Sequence, residues 1–296
     1  MSPEQLLEYK ERLSDRNWAK IDKGKKLDYL LDRVSLLDGD DQIKLVFDLT
    51  EKFEYVDYLD LMIELQEIFE SCVRQKSQQA DILVLPLKAP FIKVERLKET
   101  PNGELLFSKI KSPDMIYPLL KNSLTDETLL DLVKFCDEPF PLIGKFKQGK
   151  TVMVLIDDFV GTGVTAKTHI DSYIDFLKQY NLSSSYNDFC VLVDTAMEQG
   201  IAYLSSLGID CFSKRQQAKA ISDDNNLSEG QRQVNITIMK GIEDKILCNH
   251  NPKYSLGFCQ SESLVSIMNK SPNNTFPFYW EKCIGNVKPI FRRYYE

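Results

Sequence analysis

Asp157 and Asp158 are adjacent acids that follow an uncharged run, Val152–Ile156, and precede Phe159-Val-Gly-Thr-Gly-Val-Thr-Ala166. Two neighbouring carboxylates can accept hydrogen bonds from the hydroxyls of a polyol. Gly161 and Gly163 permit positive φ and close backbone approach. Thr162 and Thr165 add hydroxyl donors. A helix that begins at Val164 aims its free N–H groups into this loop, an arrangement that suits an anion. A phosphate on the loop and a polyol on the carboxylates together describe a sugar phosphate. The plainer alternative is a buried strand and a tight turn, with the acids capping the helix.

The elements that must hold these groups follow from the apolar pattern. Val152–Ile156 is mostly β-branched and short, which predicts a strand buried on both faces of a parallel sheet. The acids then fall at its carboxyl end, where ligands sit in open α/β sheets. Ile82–Leu85 predicts another buried strand, stopped by Pro86, with Lys88 in the loop beyond. Asn187–Asp194 predicts a third, with Asp194 marking its carboxyl end on the ligand side, and Ile209–Phe212 a fourth. Between them, Ala166, Ile170, Tyr173, Ile174 and Leu177 share one face of a helix, and Met197, Ile201 and Leu204 begin another that Gly208 closes. Strands alternating with helices give an α/β fold with a mainly parallel sheet, flanking helices and right-handed crossovers.

The flanks are less chemical. Residues 1–75 read as a helical N-terminal region, and residues 76–296 as the α/β domain with a C-terminal extension. Asp57, Asp60, Glu64 and Glu67 line one helix face, which is either solvated or a docking surface for a basic protein partner. Residues 91–113 are polar, with Pro101-Asn102-Gly103 as a turn signal, and suit a β-hairpin. Residues 114–121, 125–136 and 227–247 predict helices, the last with Ser228 as N-cap. Lys214, Arg215 and Lys219 could meet phosphate or form an exposed basic patch. His169 reads as a core-edge residue, with a catalytic base as the alternative. Asn273 and Asn274 lie in Ser271-Pro-Asn-Asn-Thr-Phe-Pro277, either in a turn at positive φ or with amides presented to a base edge.

Composition excludes several classes. The chain has 296 residues, 43% hydrophobic and 27% charged, as in an ordinary globular protein. A net charge of −7 argues against direct nucleic-acid binding. No run approaches the roughly 20 apolar residues of a membrane span. The start, Met-Ser-Pro-Glu-Gln-Leu-Leu-Glu, lacks a basic and apolar leader. Seven scattered cysteines with no CxxC pair argue against a zinc site, and Cys190 and Cys211 read as reduced core residues. The expected location is the cytoplasm.

Met153–Thr165 resembles the phosphoribosyl pyrophosphate loop of type I phosphoribosyltransferases, which shows four apolar residues, two acids, two apolar residues and a small run ending Thr-Gly-x-Thr. The resemblance implies that Asp157 and Asp158 hold the ribose hydroxyls, and that Gly161, Thr162, Gly163, Val164 and Thr165 wrap the 5′-phosphate. It implies Mg²⁺ carried by the bound ligand rather than by protein side chains, and a mobile flap at residues 91–113 whose Arg96, Lys109 and Lys111 could meet phosphates on closure. Phe159 is larger than the usual aliphatic residue, and Gly161 replaces the usual small side chain. Lys88 falls in the loop that holds pyrophosphate in that family, but the usual small residues are absent and Pro90 removes a donor. Asp194, Asn273 and Asn274 are the candidates for an acceptor site. Gly257-Phe-Cys-Gln-Ser-Glu262 and Pro272-Asn-Asn-Thr-Phe-Pro-Phe-Tyr-Trp280 resemble a bacterial phosphoribosyltransferase-like branch of conflict and antiviral systems, including retron-associated ones. The resemblance implies a defence effector that binds phosphoribosyl pyrophosphate or a related nucleotide or sugar phosphate. Either it transfers ribose 5-phosphate as a Mg-dependent glycosyltransferase, or it kept the phosphate loop as a non-catalytic ligand sensor or partner-binding protein.

Overall fold

A computed structural model describes residues 3–78, 80–90, 112–137, 140–147, 150–248 and 251–292. The chain falls into two compact units, Leu59–Gln216 and a discontinuous one made of Met1–Tyr58 with Gln217–Glu296. The helical N-terminal region therefore shares its unit with the C-terminal tail, while most of its last helix belongs to the other unit.

The discontinuous unit opens with helices α1 (Pro3–Ser14), α2 (Lys25–Val34) and α3 (Asp40–Glu51), then strand β1 (Glu54–Val56). The helix that follows, α4 (Tyr58–Lys76), enters the second unit, which continues with β2 (Asp81–Pro86), α5 (Ser112–Ser123), α6 (Glu127–Leu130), β3 (Val133–Phe135), α7 (Phe140–Lys145), β4 (Thr151–Ile156), β5 (Phe159–Val160), α8 (Val164–Gln179), β6 (Phe189–Met197), α9 (Glu198–Ser206) and β7 (Asp210–Gln217). The chain then returns to the first unit with α10 (Glu229–Ile246), β8 (Val265–Ile267) and α11 (Pro277–Trp280). Residues 125–136, expected as one helix, instead form a single turn and an edge strand. Asp126 caps that turn by accepting from Thr128 and Leu129 N–H, and β-branched Val133 with Phe135 pairs beside β2. The flap or hairpin expected at 91–113 lies largely outside the described residues, Arg96, Lys109 and Lys111 included.

In the Leu59–Gln216 unit the strand order is β3-β2-β4-β6-β5, with β7 also paired to β6. The ladders β2–β3, β2–β4, β4–β6 and β5–β6 are all parallel. The central strands are almost wholly apolar because both faces are covered. Leu83, Leu85, Met153, Leu155, Val191 and Val193 form a core with residues of α8 and α9. The alternate residues Ile82, Val84, Val154, Ile156, Cys190 and Leu192 are equally buried. Cys190 lies there with its sulfur 3.9 Å from that of Cys72 in α4. Both cysteines are free thiols. The Cys72 hydrogen bond and burial push the Cys190 thiol well above its ordinary range, which makes it an unreactive core residue.

The other unit has its own core, built from residues such as Leu30, Phe47, Phe53, Ile242, Phe276 and Phe291. β1 and β8 pair in parallel within it. Buried Arg33 of α2 donates to the carbonyl oxygens of Phe278, Glu281 and Lys288, and Lys26 donates to that of Ile290. Two cations thus fasten the tail through its backbone, which satisfies carbonyls that no ladder reaches. α10 starts in a capping box, with Ser228 and Gln231 each satisfying the other's N–H. Replacing Ser228 by alanine is expected to cost about 1 kcal/mol, read as a lower midpoint in urea unfolding with the slope unchanged.

Candidate functional site

β4 and β5 behave as one strand interrupted by the two acids. Met153 pairs with Phe189 and Ile156 with Leu192, and Phe159 pairs with Thr195 and Val160 with Ala196. The register does not slip across the break. Asp157 N–H donates to Leu192 at 3.1 Å, and Thr195 N–H donates to the Asp158 carbonyl at 3.2 Å. The backbone of both acids is therefore held by β6.

The side chains differ in setting. Asp158 is buried, at 9% exposure, while Asp157 is partly exposed. Asp158 N–H donates to Asp157 Oδ1 at 2.8 Å. Ser112, at the start of α5, lies beside the Asp157 carboxyl. Burial and the charge of Asp158 raise the Asp157 carboxyl well above its ordinary range, against the opposing pull of Ser112. The neighbouring Asp158 charge thus disfavours a negative charge on Asp157, as close carboxylates do.

The loop after β5 is open to a ligand at its backbone. Gly163 has φ of 76° and stands at the N-cap of α8 without any side-chain cap. Its carbonyl accepts from Lys167 at 2.9 Å. Among the described residues, the N–H groups of Gly161, Thr162, Gly163, Val164, Thr165 and Ala166 meet no acceptor. Such groups need water or an anion. Thr162 is half-buried, and Val164 and Thr165 are exposed.

Lys88 reaches the same rim. Pro86 pairs with Ile156, and Leu87 N–H donates to the Ile156 carbonyl at 2.9 Å. The loop after β2 thus leaves the sheet beside the acids. The Lys88 ammonium is 2.7 Å from Asp114 in the first turn of α5, and each is about one-third exposed.

Asp194 does not mark the end of its strand, as the sequence led us to expect. β6 runs three residues further, to Met197, with all nine residues buried. A buried carboxylate is tolerated there because Arg215 Nη1 lies 2.9 Å away and the Thr195 hydroxyl 2.7 Å away. Arg215 also binds Glu64 of α4, Nη2 donating at 2.6 Å, and Lys214 pairs with Glu67 at 2.6 Å. Part of the acidic stripe of α4 is thus consumed by the basic end of β7, within one unit. Burial raises the Asp194 carboxyl to about 7, with Thr195 and Arg215 opposing and Glu64 adding to the rise.

Asn273 and Asn274 belong to the other unit. Asn274 is buried, and its amide donates to Ser261 Oγ at 2.9 Å. The Asn273 carbonyl accepts from Phe258 N–H. Neither has positive φ. That conformation falls instead on Leu256, Cys259, Gln260, Glu262, Met268 and Asn269. Sequence reasoning missed Ser112 and Gly200. A Ser-Pro helix start and a glycine inside a helix were the available signals.

The PRTase-CE family model matches residues 36–293. The chain belongs to the PRTase-CE family. This PRTase-CE protein is thereby phosphoribosyltransferase-like, in agreement with its mainly parallel sheet and its loop. No curated protein matches it. Among solved structures it is similar to the orotate phosphoribosyltransferase from Aeropyrum pernix, at 13% identity over 51% of this chain and 68% of that one, with a TM-score of 0.27. Among the described residues, no helix is long and apolar enough to cross a membrane.

Proposed function

We propose that this PRTase-CE protein binds phosphoribosyl pyrophosphate, or a related nucleotide or sugar phosphate, at the rim formed by Asp157, Asp158 and the Gly161–Thr165 loop. One observation carries the reading. A single strand register delivers two carboxylates and, three residues later, a loop whose N–H groups have no acceptor among the described residues. The carboxylates accept from the ribose hydroxyls. The loop donates to the 5′-phosphate, aided by the Thr162 and Thr165 hydroxyls and the N-terminus of α8. With both ends of the ribose phosphate fixed, the sugar is oriented as positive charge develops at its anomeric carbon.

Among the described residues, no group of three or more His, Cys, Asp or Glu side chains could cage a metal. Two carboxylates beside a polyphosphate fit Mg²⁺, which keeps waters and is held largely through substrate phosphates. Bound with pyrophosphate, it would neutralise charge on the leaving group.

The engagement of Lys88 with Asp114 favours a second reading, in which the loop is retained for ligand sensing without transfer. Calorimetry with phosphoribosyl pyrophosphate and Mg²⁺, then a pyrophosphate-release assay across nucleobases and nucleotides, separates the two. Binding with release supports the transferase, binding without release supports the sensor, and no binding removes both. The role in antiviral defence rests on the resemblance of Gly257–Glu262 and Pro272–Trp280. Phage plating on cells carrying the wild-type chain or Asp157→Asn tests it: equal plating on both, matching cells without the protein, removes that role.

A further inference from the structure

A glycine outside the motif sits against the loop backbone. Gly200 is the third residue of α9, where a glycine weakens the helix relative to alanine. A Cβ placed on Gly200 would overlap the carbonyl oxygen of Gly161, and would lie 3.1 Å from its carbonyl carbon and 3.0 Å from Val160 Cγ1. The contact is reciprocal. A Cβ on Gly163 would lie 3.0 Å from the Gly200 carbonyl oxygen, 3.0 Å from Tyr203 Cδ1 and 3.2 Å from Leu204 Cγ. Gly163 also holds φ of 76°, which disfavours any side chain. Two stretches of backbone, one in α9 and one in the loop, thus meet with no side chain between them. A flexible side chain could swing away from an added methyl. The carbonyl of Gly161 cannot move without rotating the peptide that carries the Thr162 N–H.

We propose that Gly200 is a positioning residue for the phosphate loop: α9 serves as the floor that fixes the direction of the Gly161–Thr165 N–H groups. The inference rests on the reading of that loop as an anion site. Gly200 makes no contact with ligand itself. Its role is to keep the peptide between residues 161 and 162 in one orientation, so that the donors converge before a phosphate arrives. Pre-formed donors lower the cost of ordering on binding.

The test uses the full chain with Gly200→Ala, and Gly230→Ala as control, since a Cβ there meets nothing within 4 Å. Two readouts are taken. The first needs no ligand: amide NMR shifts of Gly161–Thr165 should move in Gly200→Ala and stay fixed in Gly230→Ala. The second is calorimetry with ribose 5-phosphate, where Gly200→Ala should bind at least tenfold more weakly than wild type while still melting cooperatively. Adding Val160→Ala to Gly200→Ala makes the test specific. It removes the side-chain part of the clash and leaves the backbone part, so weak binding should persist. Restored binding in that double variant, or unmoved loop amides in Gly200→Ala, would overturn the assignment. Should Gly200→Ala fail to fold, order parameters of the Gly161–Thr165 amides in ligand-free wild type supply the readout: about 0.85 is expected, and a value below about 0.6 would overturn the assignment. Wild-type protein that ignores ribose 5-phosphate refutes the anion site, and that outcome is recognisable because the loop amides still report the contact.

Discussion

Replacing Asp157 and Asp158 together by asparagine is expected to weaken binding of phosphoribosyl pyrophosphate at least about a hundredfold. Each hydrogen bond to a charged acceptor contributes about 1.5–3 kcal/mol, so losing two costs about 3 kcal/mol or more. Release of pyrophosphate, where the wild type shows it, should vanish. Stability should move the other way. The Asp157 carboxyl is raised in the folded chain by burial and by Asp158. A group raised above its unfolded value contributes fully below that unfolded value, and the contribution is lost as pH rises through the folded one. Above the ordinary carboxylate range the Asp157 charge therefore strains the fold, and asparagine at both positions should leave the melting temperature unchanged or higher. Loss of binding with retained stability is the pattern of a site shaped for a ligand. Calorimetry paired with thermal melting decides it: affinity equal to wild type would remove these acids from the site.

The second large effect is expected at Arg215. Its guanidinium touches both Asp194 and Glu64, and Asp194 is fully buried. Arg215→Met keeps the bulk but leaves that carboxylate without its cation, which should cost about 3–5 kcal/mol at pH 8. Adding Asp194→Asn should recover most of the loss. The pH dependence has a definite sign. Burial raises Asp194 to about 7 in the folded wild type, so its contribution is complete below its unfolded value of about 4 and is lost as pH climbs through 7. In Arg215→Met the penalty should shrink at pH 5.5, where the carboxyl takes up a proton. Urea unfolding at pH 5.5 and 8 measures both. A loss that is small and independent of pH would show that the carboxylate never depended on Arg215.

Some of this was legible in the residues and some was not. The strands at 81–86 and 151–156 were plain because burial on both faces demands unbroken apolar runs. The capped start of α10 was plain because Ser228 and Gln231 satisfy N–H groups locally. Long-range pairing was hidden. Glu64 and Glu67 looked like a solvated stripe or a docking surface, and Lys214 and Arg215 like an exposed basic patch or a phosphate contact. Roughly 150 residues separate the two groups in the sequence, and only the fold of α4 beside β7 joins them. Asp194 resembled a strand-end ligand because it follows the apolar run Cys190–Val193 as Asp157 follows Val152–Ile156. Its buried salt bridge let β6 continue past it. Gly200 was hidden for a related reason: a close backbone approach leaves no mark in a sequence beyond the absence of a side chain.

The split unit also bears on how the protein is made. Helices α1 to α3 leave the ribosome ahead of the tail segment that covers them, which is held by Arg33 and Lys26 and encoded after the whole Leu59–Gln216 unit. At about 5–20 residues per second, the roughly 225 residues between α3 and Phe278 impose a wait of about 11–45 seconds. During that interval the nascent helices carry an uncovered apolar face, so holdase chaperones should engage this chain early and let go only once the segment Phe278–Ile290 emerges.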